Sequence, residues 1–372
     1  MPVELYACGF NAYGQLNGTS VEKAPTDLLK PELVLSAKDI RVLYVGWADS
    51  LLEVDGQLLL RGAASCGGDT YIDSPTEDIV WRSAFGDHTG LKGLLSEDGD
   101  IYLFEQGPDG WPLLKLGEDE TTFVSIAGNG KIDVVADSDL DNLGIIDQGD
   151  SFASFMDDDL WPSERFHLPT SPTSLVSNEI SFTAVLPATS TTGPSVFSWG
   201  DPRYSSLGRL PDASKPASSP HPIDHLGGIE ILKVSSGGYM TAALSSSHDL
   251  YIWGGRPGEE HHIKALPDVG SAEVALVDIC GQDGEPKDIQ DVAVGGGHIL
   301  VLDEDGTVWG VGRNDNGQLG IDPQKSKFVD EWTQLELPCL TKEEPRTKRQ
   351  ARSVFCSPWS SFVFVDIPED ST

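Results

Sequence analysis

The sequence predicts an all-β protein that folds as a seven-bladed β-propeller. The first observation is a strand that ends near glycine and runs into a polar turn, which occurs at 308–320, 5–17 and 197–208. The second is a run of small residues leading into an apolar strand, which recurs seven times along the 372 residues. The third is the lack of any long stretch with helical periodicity, together with 40 glycines and 24 prolines that favour turns. Self-similarity at a period of about 40–60 residues is typical of a repeat fold.

The small-residue turn allows the seven repeats to be aligned. Four strong copies begin with valine and end in an apolar strand, at 176–186, 234–244, 292–302 and 354–364. Three weaker copies begin at Val42, Phe85 and Ser125. The seventh position of each copy falls, in chain order, at Ala48, Leu91, Lys131, Phe182, Met240, His298 and Ser360.

A short strand that ends in glycine follows six of these copies. The six glycines are Gly62, Gly107, Gly149, Gly200, Gly254 and Gly312. The seventh such strand lies at the opposite end of the chain, at 5–9, so we expect the N-terminal strand to close the last blade. Residues 1–17 and 354–365 would then share the closing blade, and residues 1–372 would form a single propeller domain. Closure of this kind hides the strand edges that an open sheet exposes.

The repeated glycines and tryptophans are interpreted as structural residues. Glycine accepts a positive φ and lets neighbouring backbone approach closely, so Gly312→Val is expected to damage folding. Trp199, Trp253 and Trp309 lie in the strands that lead to these glycines. We expect these tryptophans to pack within and between blades.

These repeats resemble the regulator of chromosome condensation repeat family, whose members are seven-bladed propellers. The resemblance covers essentially the whole chain and is strongest at 5–17, 234–254 and 292–320. The family usually carries histidine at the seventh position of the turn, and here only His298 keeps it. The chain is thus similar to a short, divergent single-propeller member. His298 is interpreted either as a hydrogen-bonded structural residue or as a contact to a partner.

Composition restricts the partners and the compartment. A net charge of −34 repels nucleic acid and anionic lipid and attracts basic proteins. The alternative interpretation is that this charge only keeps the protein soluble. No run of about 18 apolar residues exists, and the N-terminus lacks the pattern of a secretory signal. Five scattered cysteines without a Cys-x-x-Cys pair predict reduced thiols in a cytoplasmic or nuclear protein. We expect a monomer that binds no membrane, with the basic run at 342–352 in a solvated loop.

No group of residues in the sequence predicts catalysis, a cofactor or a metal. Gly310-Val-Gly312 lacks the third glycine and the crossover helix of a dinucleotide site. The histidine pairs 221/225 and 261/262 lack a third ligand at suitable spacing. The acidic stretch 137–148 begins like a calcium loop, but its glycine comes two places late and it ends in Gln instead of Glu. We therefore predict a protein without enzymatic activity.

Segment 150–175 is the candidate partner-binding loop, because it mixes aromatic and acidic side chains. It is either an ordinary outer strand and loop between blades or a docking loop on one propeller face. The long charged connections at 255–288 and 321–351 are further candidate partner loops. The predicted partner contacts are Phe152, Phe155, Met156, Asp157, Asp158, Asp159 and Trp161, together with His298.

Two functions remain open at the level of the sequence. The preferred one is a non-enzymatic adaptor whose acidic surface binds a protein partner, either a basic protein or a small metal-binding one. The resemblance implies such roles as a regulatory subunit in transfer-RNA modification or in chromatin-associated complexes. The alternative, implied by the founding member of the family, is guanine-nucleotide exchange on a Ran-like small GTPase by a projecting β-wedge. Segments 108–122 and 150–170 have a suitable length for such a wedge but no matching motif.

Overall fold

The chain folds into seven four-stranded antiparallel sheets, the blades of a seven-bladed β-propeller, as the sequence predicts. The single α-helix of the described residues is α1 (Phe152–Phe155). The computed structural model describes residues 2–18, 26–65, 68–75, 79–104, 112–116, 120–137, 143–157, 159–190, 192–255, 263–266, 274–281, 284–340 and 349–367.

The chain divides into two compact units, so the prediction of a single domain over 1–372 stays a prediction. Unit 1 comprises Met1–Asp73, Gly258–Pro267 and Val277–Thr372. It holds three sheets, of order β2-β1-β28-β27, β3-β4-β5-β6 and β23-β24-β25-β26. Their strands are β1 (Val3–Gly9), β2 (Leu28–Ala37), β3 (Ile40–Val45), β4 (Asp49–Val54), β5 (Gln57–Gly62), β6 (Thr70–Ile72), β23 (Ile289–Val294), β24 (His298–Asp303), β25 (Val308–Arg313), β26 (Phe328–Gln334), β27 (Gln350–Ser357) and β28 (Ser360–Asp366).

Unit 2 comprises Ser74–Pro257 and Asp268–Leu276 and holds the other four sheets. In each of them the four strands are hydrogen-bonded in chain order or its reverse. The strands are β7 (Trp81–Asp87), β8 (Gly90–Ser96), β9 (Ile101–Phe104), β10 (Leu113–Leu116), β11 (Thr121–Ile126), β12 (Ile132–Asp137), β13 (Gly144–Gly149), β14 (Glu164–Leu168), β15 (Ser174–Ser177), β16 (Ser181–Leu186), β17 (Ser195–Gly200), β18 (His221–Pro222), β19 (Ile231–Gly237), β20 (Met240–Ser245), β21 (Leu250–Gly254) and β22 (Ala275–Val277).

The N-terminal strand closes the last blade, as predicted. β1 pairs antiparallel with β28, from Val3 opposite Asp366 to Gly9 opposite Ser360. All seven residues of β1 are buried, and its other edge pairs with β2. The N-terminal segment therefore supplies two strands to this sheet, although the sequence predicted only the first of them.

The apolar core lies between the faces of successive sheets. In unit 1, Leu300 of β24 and Val363 of β28 belong to one buried cluster. Leu5 of β1 and Leu59 of β5 belong to a second cluster of the same unit. In unit 2 the side chains of β12 and β16 pack together in the same way. Packing of sheet against sheet is what stabilises a ring of blades.

The predicted structural tryptophans are buried, and two of them donate hydrogen bonds to buried aspartates. The indole N–H of Trp199 donates to Oδ2 of Asp133 at 2.8 Å. Trp309 donates in the same way to Oδ2 of Asp303 at 2.8 Å. Asp133 also accepts from Nε2 of Gln148 at 2.7 Å, and burial raises its pKa to about 7. A buried carboxyl group of this kind needs such donors to offset its lost hydration.

Candidate functional site

A glycine at the end of the third strand fixes the neighbouring turn of its blade. Gly312 has a φ of +104°, and the carbonyl oxygen of Gly297 lies 2.3 Å from where a Cβ would stand. That oxygen accepts a hydrogen bond from the backbone N–H of Arg313 at 2.8 Å. The close approach and the positive φ both require glycine. The same geometry occurs at Gly9, Gly62, Gly200 and Gly254, whereas Gly107 lies outside the described residues.

Strand pairing corrects the predicted repeat alignment by one residue in three blades. Met240, His298 and Ser360 lie opposite the glycine as aligned. In three of the other four blades, Asp49, Ile132 and Ser181 take this position, where the alignment had placed Ala48, Lys131 and Phe182. In the remaining blade the glycine, Gly107, lies outside the described residues. The first displacement arises because a β-bulge between residues 42 and 44 adds a residue to β3. In the second, the turn has three residues, because the N–H of residue 127 bonds the carbonyl of residue 131. This copy also begins further along its strand, since Ser125 pairs with Asp133 whereas Val292 pairs with Val301.

Four aromatic side chains from three connections of unit 1 form a surface cluster, here called the aromatic patch. They are Phe10 and Tyr13 after β1, Trp47 in the β3–β4 turn and Trp359 in the β27–β28 turn. The ring centroid of Trp47 lies 4.6 Å from that of Phe10 and 4.7 Å from that of Trp359. Trp47 is 45% exposed and Tyr13 is 41% exposed. The patch thus presents large apolar rings to solvent on turns instead of burying them between sheets.

Hydrogen bonds hold the backbone of the aromatic patch in place. Nε2 of Gln15 donates to the carbonyl oxygens of Phe10 at 3.1 Å and of Trp47 at 3.2 Å. The backbone N–H of Phe10 donates to the carbonyl oxygen of Trp359 at 3.0 Å. The N–H of Gly296 donates to the carbonyl of the residue before Trp359, also at 3.0 Å. The glutamine of the repeated Gly-Gln-Leu sequence is therefore a positioning residue for these rings.

The surroundings of the aromatic patch carry negative charge. The segments 10–18, 46–49, 295–297 and 357–360 contain no lysine, arginine or histidine. Their one ionisable acid is Asp49, whose Oδ1 accepts from the backbone N–H of Ala64 at 2.6 Å. Partial burial raises the pKa of Asp49. An external cation would stabilise the charged form of this carboxyl group.

A smaller aromatic pair lies in unit 2, with Tyr204 on the connection after β17 and Tyr239 in the β19–β20 turn. The ring centroids of Tyr204 and Tyr239 are 4.8 Å apart in an edge-on arrangement. Tyr204 and Ser205 both have positive φ, 59° and 56°, a conformation that costs free energy in non-glycine residues. The backbone N–H of Glu179 donates to the carbonyl of Gly238, beside Tyr239, at 2.9 Å. Partial desolvation raises the pKa of Glu179.

Sequence comparison finds the repeats of this chain in known proteins. Models of the regulator of chromosome condensation (RCC1) repeat match residues 195–244 and 305–364, and a second model of the same description matches 289–318. The chain carries RCC1 repeats. RCC1 domain-containing protein 1 of Mus musculus is 22% identical over 398 residues, which cover 96% of each protein. The E3 ubiquitin-protein ligase HERC2 of Homo sapiens is 28% identical over 347 residues, which cover 85% of this chain but 7% of HERC2.

Solved structures agree with the propeller fold. Prp20p from Saccharomyces cerevisiae superposes with a TM-score of 0.69 at 13% identity, over 100% of this chain and 93% of that chain. Human WBSCR16 superposes with a TM-score of 0.67 at 13% identity, over 98% and 99% of the two chains. At this level of identity, the likeness shows the fold alone.

The predicted docking loop places its aromatic rings against the core of unit 2. Ser151 caps α1, because its hydroxyl accepts from the N–H of Ser154 and the Ser154 hydroxyl accepts from the N–H of Ser151. Phe152, Phe155 and Trp161 are half-buried and pack against an apolar cluster formed by residues between 85 and 132. For these three rings the interpretation as an ordinary connection between strands therefore fits the structure better than a docking role. Of the two segments of wedge length, 150–170 contains α1 and the strand β14 among its described residues, whereas 108–111 and 117–119 of the other lie outside the described residues.

The remaining predicted contacts of this loop are on the surface. Met156 is 47% exposed, and Asp157 and Asp159 are exposed. Asp158 lies outside the described residues, as do parts of the candidate loops at 255–288 and 321–351. A partner contact at Met156 and its neighbouring aspartates stays a prediction.

His298, the one histidine kept at the repeat position, is fully buried in unit 1. Its Nε2 lies 3.0 Å from Oγ of Ser361, and burial lowers its pKa to about 4. Its complete burial fits the interpretation as a hydrogen-bonded structural residue better than the interpretation as a partner contact, which stays a prediction. The ring lies against Gly295, where an added Cβ would stand 2.1 Å from Cε1 of His298.

Sequence reasoning missed the aromatic patch, although a signal was present. Trp47 and Trp359 stand at turn positions of two aligned repeats, where a buried role is unusual, and Phe10 follows the repeat glycine. Within the described part of the chain, no group of three His, Cys, Asp or Glu side chains could hold a metal ion. No helix found there is long and apolar enough to cross a membrane. Of the predicted basic run, Arg349 and Arg352 form ion pairs with Glu4 and Asp366, and residues 341–348 lie outside the described residues.

Proposed function

We propose that this RCC1-type propeller is a non-enzymatic interaction adaptor and that the aromatic patch contacts its protein partner. The observation behind this proposal is that Trp47 is exposed to solvent although it packs against the rings of Phe10 and Trp359. Tryptophan and tyrosine dominate the binding energy at protein interfaces. The hydrogen bonds of Gln15 fix these turns before binding, so little backbone freedom would be lost on association.

The adaptor role fits the relatives better than a ligase role does. HERC2 is named as an E3 ubiquitin-protein ligase, yet the chain spans only 7% of that protein. RCC1 domain-containing protein 1 matches along nearly its whole length, 96%, and its name specifies no chemistry. The acidic character of the chain, with a net charge of −34, favours a basic partner. Adaptors in transfer-RNA modification or in chromatin-associated complexes are the two settings that the resemblance suggests.

The direct test is affinity purification of the tagged protein from its own cells, followed by mass spectrometry. We expect a stoichiometric partner that is lost with Trp47→Ala and kept with Tyr71→Ala. Tyr71 is the matched control, because it is 55% exposed on β6 of the same unit and does not belong to the patch. Recovery of a transfer-RNA-modifying subunit or a chromatin enzyme would name the complex. Retention of every partner by Trp47→Ala would refute the patch as the contact surface.

Nucleotide exchange is the competing function, because the structure of Prp20p was described with its binding to Gsp1p and histones. Its test is the release of labelled GDP from a panel of small GTPases, including a Ran-like one. We expect no acceleration at micromolar protein. Acceleration that survives Trp47→Ala would replace the adaptor proposal, and capture of a GTPase only after nucleotide is stripped would point the same way.

A further inference from the structure

We propose, resting on the function above, that the partner segment seated on the aromatic patch is basic and that one of its arginine side chains stacks on Trp47 beside Asp49. The occupant is thus a cationic segment of another protein. It is neither an apolar helix nor a second copy of this acidic chain. Each part of this inference comes from the composition and geometry of the patch.

The exposed ring of Trp47 is suited to a planar cation. Phe10 lies against it at an interplanar angle of 31°, and Trp359 meets it edge-on at 88°. These two contacts hold the indole in one orientation while leaving 45% of the residue exposed. Tryptophan is the aromatic side chain that attracts cations most strongly, through the negative charge of its ring face.

Charge complementarity selects a basic occupant. The three patch segments 10–18, 46–49 and 357–360, and the neighbouring glycines 295–297, carry one carboxyl group, Asp49, and no basic side chain. Arg61 donates to the carbonyl oxygen of Leu16 in the first of these segments, but it is buried and paired with Asp69. Arg313, at the end of β25, is paired with Asp315. An incoming cation would therefore meet no repulsion from these segments. The net charge of −34 would also steer a basic segment toward the protein.

Arginine fits this site better than lysine does. Its guanidinium group is flat, so it can stack on an indole and still donate hydrogen bonds from its edge to a carboxylate. Asp49 begins β4, two residues after Trp47, and is only partly buried. Its Oδ1 accepts from the backbone N–H of Ala64. A carboxylate has about four lone-pair sites, so it can accept further donors.

The test measures binding of a fluorescein-labelled peptide in which arginine alternates with glycine and serine. Its control replaces every arginine with citrulline, which has the same flat shape without the charge. Against the full chain, we expect Trp47→Ala to weaken binding about 3- to 30-fold, the range of a cation–π contact. Asp49→Asn should weaken it by at least about threefold while keeping an oxygen for the Ala64 N–H. Tyr71→Ala should bind like the unmodified protein.

Two outcomes would overturn the inference. One is equal affinity for the arginine and citrulline peptides. The other is an equal loss of affinity in Trp47→Ala and Tyr71→Ala, which would mean non-specific attraction. If Trp47→Ala lowers the melting temperature, a second readout uses the unmodified protein. The arginine peptide should change the tryptophan fluorescence of the protein, and the citrulline peptide should not. If Trp47→Ala loses its partners in the affinity purification but the unmodified protein does not bind the arginine peptide, the adaptor function stands and only the basic occupant is refuted. If Trp47→Ala keeps its partners, the aromatic patch is refuted as the adaptor surface.

Discussion

Replacing Gly312 with alanine should destabilise unit 1 far more than the same change at Gly56. A Cβ at Gly312 would stand 2.3 Å from the carbonyl oxygen of Gly297, at a φ of +104°. The unfavourable φ alone costs of order 1–3 kcal/mol in a non-glycine residue. Moving the carbonyl aside breaks its hydrogen bond with Arg313 and leaves a buried acceptor unpaired, at a further cost of about 1–3 kcal/mol. We therefore expect a total loss of about 2–6 kcal/mol, and a larger one for Gly312→Val, whose branched side chain adds further overlap.

Gly56 supplies the matched control for this measurement. It has a φ of +81°, but nothing lies within 4 Å of its missing Cβ. Gly56→Ala should therefore cost only the backbone strain, about 1 kcal/mol. Urea unfolding followed by circular dichroism and by tryptophan fluorescence gives both free energies, and agreement of the two probes checks that unfolding is two-state. If the free energies of unfolding of the two variants differ by less than about 1 kcal/mol, the nearby carbonyl oxygen of Gly297 is not the reason that position 312 requires glycine.

Three further predictions concern closure and pH. Deletion of residues 1–17 removes β1, which pairs on both edges, so the melting temperature should fall sharply, and an unchanged value would refute N-terminal closure. Burial raises the pKa of Asp133 from its usual 3.8 to about 7. Between these pH values the folded state keeps a proton that the unfolded state has lost, so stability falls as pH rises from about 4 to 7. Asp133→Asn should remove this decline, and urea midpoints at pH 5 and pH 7.5 would show it. For His298 the folded pKa lies near 4 instead of 6.5, so stability falls as pH drops through that range, and His298→Gln should flatten the acid side of the same profile.

The repeat pattern predicted the fold well because glycine at positive φ leaves a direct mark in the sequence. Gly9, Gly200 and Gly312 all have the predicted conformation. The alignment of the strands between them was less exact. Leu175 and Val176 are adjacent apolar residues, and pairing shows that Val176 lies one position further along than Val234 does in its blade. A periodic pattern cannot decide between two adjacent apolar residues of this kind.

The candidate site could not be predicted from spacing along the chain. Phe10 and Trp359 meet only because β1 and β28 pair across the closing blade. Density of aromatic and acidic residues instead pointed to 150–161, where the rings pack against the core. Short amphipathic segments look alike in sequence whether their aromatic face covers a blade or faces solvent, so exposure had to come from the structure.

The position of β1 in the closing sheet has a consequence for how the protein is made. Its partner β28 is synthesised about 350 residues later, which at about 5–20 residues per second means a wait of roughly 20–70 s on the ribosome. Until then this wholly buried strand has only β2 beside it, and an isolated two-stranded hairpin is marginally stable in water. The nascent chain therefore exposes an apolar strand edge while the residues between β1 and β28 are made, and a chaperone that shields the first hairpin would protect the protein during that interval.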